Sequence, residues 1–344
     1  MNRRHFLGLM GALTATPLLP ARADAAESKQ LLHLFGDLPP PSQVQRVLAA
    51  GAPAGVLVYT LAPETLLGWP MSMQGEKSRV VPEAYRNLPY LGRLAGRGST
   101  MPLEKLLALK PDVIIDVGTV DDTYLSAAKR VHQQTGIPYL LVDGSLEDSP
   151  QQLQDVGQLL GVPDRAAKLA TYAEKTLGVI DTMPANRPSV YLARGPKGLE
   201  TGLPGSINTE VIALAGGRNA VQVESGGNLA QVSLEQLLHW QPDMIVTQSA
   251  GFFELAQSAA AWQHLPAIKN RQCYLLPEAP FGWLDGPPSV NRLVGINWLA
   301  NKLQNPGSRR SDTKLWADKA ADFYQLFYGT RPGIDIFAGQ TVRL

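Results

Sequence analysis

Cysteine is almost missing from this chain. Cys273 is the only one in 344 residues, so no intramolecular disulfide can form and no thiolate cluster can hold a metal. Clustered metal ligands are lacking too. His33, His132, His239 and His264 are dispersed, and neither H-x-x-H nor C-x-x-C occurs. An excess of one charge is also absent. The 31 basic and 30 acidic residues leave a formal net charge of +1, which offers no electrostatic footprint for nucleic acid. No apolar run reaches transmembrane length. Catalytic signatures are missing as well: there is no G-x-S-x-G elbow and no Walker A, and Gly92-x-x-x-Gly96-x-Gly98 departs from the dinucleotide fingerprint. These gaps argue against an enzyme and against a resident cofactor or metal.

The N-terminus carries an export pattern. Arg3-Arg4 precede a short apolar stretch, Phe6 to Leu19, which Pro17 breaks before the A-x-A pattern of Ala21-Arg22-Ala23. Twin-arginine and general secretory export both fit. Residues 1–23 are read as a signal peptide, and no cysteine follows for lipid attachment. A periplasmic protein is therefore expected. Cys273, within an apolar run, reads as a small buried hydrophobe.

The length favours two domains over one core, and an internal repeat points the same way. Leu103-Glu104-Lys105-Leu106-Leu107 leads to Pro111-Asp112-Val113-Ile114, and Leu234-Glu235-Gln236-Leu237-Leu238 leads to Pro242-Asp243-Met244-Ile245, 131 residues later. The leucines share one helix face, the prolines end the helices, and the apolar residues beyond read as inner strands. Around each copy strands and helices alternate, which implies parallel sheets covered by helices. Strands are expected at Val44 to Ala49, Leu66 to Trp69, Ile137 to Val142, Ser189 to Ala193 and Gln272 to Leu276.

The resulting fold class is α/β, with two Rossmann-like lobes of parallel sheet joined by a single long helix. The lobes are assigned to residues 43–163 and 187–304, the joining helix to 164–184 and a helical tail to 305–344. Ala167, Ala170, Leu177 and Ile180 carry the periodicity of the joining helix, and Leu315, Ala320, Phe323, Leu326 and Phe327 that of the tail.

Two such lobes with the duplicated L-E-x-L-L-x-x-x-P-D element resemble the helical-backbone periplasmic binding proteins, which serve ABC importers of ferric siderophores, haem and cobalamin. The resemblance covers roughly residues 43–304. It implies a monomer that captures a small metal chelate and delivers it to a membrane permease. A ferric siderophore is the first expectation, with haem, cobalamin, nickel or oxyanion cargo behind it; a stand-alone chelate carrier is the other reading. By motif position the resemblance implies permease docking through Glu104 and Glu235. Stabilising a helix N-terminus would equally favour a carboxylate at either place.

Ligands of doubly wound sheets sit beyond the carboxyl ends of the strands. The loops there supply the candidates Met71, Arg97, Arg194, Asn228, Phe281, Trp283 and Asp285. Arg97 and Arg194 could fork onto ligand oxygens. Phe281 and Trp283 could form an apolar platform, although aromatics more commonly build core. Met71 could pack adaptably against a bulky ligand, and Tyr59, Tyr85 or Tyr90 could serve haem.

Overall fold

A computed structural model describes residues 29–75, 80–95, 98–178, 187–223, 227–305, 312–333 and 342–343. Strand β1 (Leu32–Phe35) opens the chain, followed by β2 (Val47–Ala49), helix α1 (Ala52–Leu61) and the single turn α2 (Glu83–Arg86). Then come α3 (Leu103–Leu109), β3 (Val113–Gly118), α4 (Asp122–Thr135), β4 (Tyr139–Asp143) and α5 (Ser149–Leu159). Helix α6 (Pro163–Gly178) leads to the second sheet. That half holds β5 (Ser189–Ala193), β6 (Glu200–Gly202), α7 (Glu210–Leu214), β7 (Arg218–Asn219) and β8 (Leu229–Gln231). It continues with α8 (Leu234–Trp240), β9 (Met244–Thr247), α9 (Ala250–Ser258), α10 (Pro266–Lys269), β10 (Cys273–Leu275) and α11 (Arg292–Gln304). Helix α12 (Asp312–Tyr328) and β11 (Val342–Arg343) complete it.

The first sheet has the order β1-β4-β3-β2 and the second β11-β10-β9-β5-β7, with β6 and β8 as a separate antiparallel pair. The inner strands pair in parallel. Both sheets differ from the all-parallel expectation at one edge, where β1 lies antiparallel on β4 and β11 antiparallel on β10. Each enters from an end of the chain, so no crossover helix forces it parallel. Both also lie outside the segments assigned to the lobes from sequence. The strand expected over Leu66 to Trp69 shrinks to single bridges, Val47 to Leu66 and Trp69 to Tyr90.

The repeat is the same device twice. Lys110 and Gln241 end α3 and α8, both in the left-handed region with φ of 46°. The motif aspartates then fasten the neighbouring strand. Asp112 Oδ2 accepts from the amides of Gln45 and Arg46 at 2.9 and 2.8 Å, beside β2. Asp243 Oδ2 accepts from the amide and hydroxyl of Ser189 at 2.8 Å each, at the start of β5. The Pro-Asp pair thus ends a helix and sets the register of a parallel strand pair.

Both sheets are covered on both faces, and the residues alternate accordingly. In the first sheet Leu48, Ile114 and Leu141 face α3 and α4. In the second, Tyr191, Ile245 and Cys273 point to the side holding Leu237, Phe252 and Trp262. There burial pushes the Cys273 thiol up to about 12. The opposite faces (Val47, Ile115 and Val142; Val190, Leu192 and Val246) belong to one continuous core that also holds side chains of α1, α5, α6, α11 and α12.

Helix α6 spans 16 residues, about 24 Å at about 1.5 Å rise per residue. The rest of the joining segment, 179–184, lies outside the described residues, as does the signal segment 1–23. Arg165, on α6, reaches the carbonyls of Thr60 and Phe327 at 2.6 and 3.1 Å. One guanidinium thereby occupies the C-terminal ends of both α1 and α12, where a cation is favoured.

Candidate functional site

The carboxyl ends of β5 and β9 open into a cavity of about 320 Å³ lined by Arg194, Glu200, Gln248, Ser249 and Asp285, among others. Strand ends place these residues. Arg194 directly follows β5, Gln248 and Ser249 directly follow β9, and Glu200 begins β6, bridged back to Arg194.

Two carboxylates lie against Arg194. Its Nη1 lies 2.6 Å from Glu200 Oε1 and its Nε 2.7 Å from Asp285 Oδ2. Asp285 is buried, and its Oδ1 accepts from Asn208 Nδ2 at 2.9 Å. Gln248 clamps the backbone of Asp285, accepting its N–H at 2.9 Å and donating to its carbonyl at 2.7 Å. That clamp needs glycine at 282, where an added Cβ would sit 1.7 Å from Gln248 Nε2 and 1.8 Å from the Asp285 carbonyl.

The loop carrying Asp285 is anchored from behind. Trp283 is fully buried and donates Nε1–H to the Tyr324 hydroxyl at 3.0 Å. Phe281, equally buried, packs with ring centroids 5.9 Å from Trp69 and 6.1 Å from Tyr328. The platform expected from these two aromatics is therefore corrected. Both face the shared core, and their part is to hold Asp285 at the cavity. The reason is apolar burial plus a satisfied indole N–H.

The other candidates scatter. Asn228 is half-buried, and its Oδ1 accepts from Thr119 Oγ1 at 3.1 Å. Thr119 follows β3, so this bond joins the carboxyl side of the first sheet to the loop before β8. Met71 is half-buried and packs on the core. Arg97 lies outside the described residues. Glu104 and Glu235 are exposed in the first turns of α3 and α8. Among the tyrosines suggested for haem, Tyr59 is buried and donates to the Tyr328 carbonyl, whereas Tyr90 is 60% exposed.

Sequence reasoning missed Glu200, Gln248, Asn208 and a second junction around Arg292. Gln248 was available from its place right after an inner strand. Buried Arg292 donates to the carbonyls of Gly144, Ile207 and Ser289 and pairs with Glu210 at 2.9 Å. Burial pulls its pKa below the ordinary arginine value, and Glu210 opposes that shift. Glu210 also accepts from the Leu146 amide at 3.0 Å, so the loop after β4 is held against α7 and α11. Among the described residues no group of three or more His, Cys, Asp or Glu side chains is placed to hold a metal ion.

The polar cavity thus lies at the carboxyl ends of β5 and β9, strands of the second sheet. The family model described as "Periplasmic binding protein" matches residues 74–280, more than half of the chain. The chain belongs to the periplasmic binding protein family. This family consists of substrate-binding transport proteins. One relative is the high-affinity heme uptake system protein IsdE of Staphylococcus aureus, 23% identical over 216 residues, covering 59% of this chain and 71% of IsdE. Among solved structures, an ABC transporter solute binding protein from Sulfurospirillum deleyianum superposes with a TM-score of 0.77 at 28% identity, covering 87% of this chain and 94% of that one. The molybdate-binding MolA of Haemophilus influenzae superposes with a TM-score of 0.67 at 20% identity, covering 86% and 96%, and shows the fold. No helix of the described residues in this family member is long and apolar enough to cross a membrane.

Proposed function

We propose that this periplasmic binding protein works as a monomer in the periplasm, capturing an iron chelate, a ferric siderophore first, and delivering it to an ABC permease. The observation that carries this reading is the cavity at the carboxyl ends of β5 and β9, walled by Arg194, Glu200, Gln248 and Asp285. Its polar groups are held by ion pairs and backbone clamps, which suits reversible capture of a pre-assembled complex. The dispersed histidines and the lone, buried Cys273 favour a chelated metal over a bare one. Likeness to a heme uptake protein makes haem the second reading, with the exposed Tyr90 as the tyrosine open to solvent.

Native mass spectrometry of protein recovered from the periplasm, with fluorescence titrations against ferric siderophores, haemin and cobalamin, tests the cargo. A mass increment matching a ferric siderophore and saturable quenching by it are expected. Haemin binding without any siderophore response would overturn the first choice in favour of the second.

Docking runs through Glu104 and Glu235. Both are exposed on matching helices of the repeat, so each half offers one carboxylate to a cationic permease surface. Glu104→Ala combined with Glu235→Ala should abolish uptake in cells and leave the cargo dissociation constant of the purified protein within about twofold, since rim charges act on partner association. Undiminished uptake by the double variant would remove docking from both residues.

A further inference from the structure

We infer that the Thr119–Asn228 hydrogen bond is a latch between the two halves that opens for cargo to seat, while the Arg292–Glu210 junction stays fixed as the pivot. The inference rests on the reading above, in which the cavity beyond β5 and β9 receives a chelate. That cavity holds about 320 Å³, and its lining residues all belong to the second half. Pockets for drug-sized ligands run from about 300 to 1,000 Å³, and a hexadentate ferric chelate is larger than a drug. Part of the chelate then lies outside the cavity, in space whose width depends on how the first half is held.

Both links reach residues near the cavity wall. Thr119 directly follows β3 and donates its hydroxyl to Asn228 Oδ1 at 3.1 Å. Asn228 directly precedes β8, whose Gln231 pairs with Glu200 of the wall, about 10 Å further along the strand. Arg292 bonds the Gly144 carbonyl, just beyond β4, and the Ile207 carbonyl, next to the Asn208 that bonds Asp285. Glu210 closes that junction by pairing with Arg292 and accepting from the Leu146 amide. The two links differ in what parting them costs. Arg292 is 3% exposed, and separating its partners would strand a buried guanidinium. Thr119 and Asn228 are neutral and half-buried, so water can replace each partner. Strain between the halves therefore parts Thr119 from Asn228 first. One neutral hydrogen bond biases an equilibrium by about two- to tenfold, enough to favour the latched arrangement and little enough for cargo to open it.

Thr119→Val keeps the side-chain shape and deletes the donor, and Asn228→Ala deletes the acceptor. Cargo affinity is reduced in proportion to the unlatched fraction, so removing the latch should raise it. In calorimetric titrations with ferrichrome, ferric enterobactin and haemin, whichever probe the unaltered protein binds should bind each variant about two- to tenfold more tightly. The double variant should gain no more than the better single one, because both delete the same bond. Weaker binding would make the two residues cargo contacts, and unchanged binding would leave the bond without a role; either overturns the inference. A second readout needs no cargo. Ala108→Cys and His239→Cys, at matching exposed positions of α3 and α8, can carry spin labels, since Cys273 is buried. Adding Thr119→Val should shift or broaden the distance between the labels, and an unchanged distribution overturns the latch. A changed distribution with no probe bound keeps the latch and removes the chelate reading. The Leu146 amide should stay protected from hydrogen exchange in every variant; lost protection there would overturn the pivot.

Discussion

Phe323→Ala is expected to cost about 3–5 kcal/mol of stability, the usual range for emptying a buried phenylalanine site. Phe323 lies on α12 with no exposed surface. Its ring is stacked on Phe327 at 4.4 Å and lies 5.3 Å from Tyr324 and 5.8 Å from Tyr172 of α6. Domains of this kind have roughly 5–15 kcal/mol to lose, so one truncation consumes a large share. The melting temperature should fall by roughly 10 °C, at about 2–4 °C per kcal/mol for larger domains.

The position of α12 makes the loss global. Tyr324 takes the Trp283 indole and Tyr328 donates to Asn291 from the second half, while the carbonyls of Phe327 and Tyr328 receive Arg165 of the joining helix α6 and Tyr59 of the first half. One core spans all of these. Urea unfolding followed by far-ultraviolet dichroism and by tryptophan fluorescence should therefore shift together. Two transitions, only one of them moved, would show that α12 does not join the halves, and a change below about 1 kcal/mol would contradict the packing itself.

The second large effect concerns Asp116, on β3 and buried among apolar neighbours. Burial raises its carboxyl from the ordinary 3.8 to about 6, against the hydrogen bonds it accepts from the Tyr139 hydroxyl at 3.1 Å and the Val117 amide at 2.9 Å. The direction of the pH dependence follows. Between about pH 4 and 6 the folded protein holds a proton that the unfolded chain has released. Stability from this group is thus present at low pH and lost as pH rises through 6. The loss at neutral pH is on the order of 3 kcal/mol, from a shift of about two units at about 1.4 kcal/mol each.

Asp116→Asn removes the charge and keeps groups able to bond Tyr139 and Val117, the phenol turning to accept where it had donated. The variant should be more stable than the parent at pH 8, by up to about 3 kcal/mol, and nearly equal to it only at about pH 3, below the ordinary carboxylate value. Denaturant midpoints of both proteins across that range check this. A variant equally destabilised at both pH values would show that Asp116 is needed for its hydrogen bonds and carries no proton linkage. Asp116 lies on the strand leading to Thr119, the residue that bonds Asn228.

What could be read from the chain alone was local or duplicated. The leucine face, the Pro-Asp stop and the inner strand lie within a dozen residues of one another, so their periodicity determined both copies of the repeat and hence two α/β halves. Strand Ser189–Ala193 and the presence of a helix through Leu315, Ala320, Phe323, Leu326 and Phe327 followed from the same kind of signal. The placement of Arg194 after a strand end was equally legible.

What Arg194 does there was not, because its partner Asp285 is ninety-odd positions away and no periodicity links them. Trp283 and Phe281 carry the same lesson. Loop composition suggested exposed rings, but only the return of α12 across the molecule supplies the apolar cover and the Tyr324 hydroxyl that bury them. The antiparallel edges, β1 and β11, are short segments from opposite chain ends whose pairing depends on where the rest of each sheet ends. Local sequence therefore determined the elements and the duplicated unit. Tertiary contact decided which polar groups pair with one another and which aromatics are core.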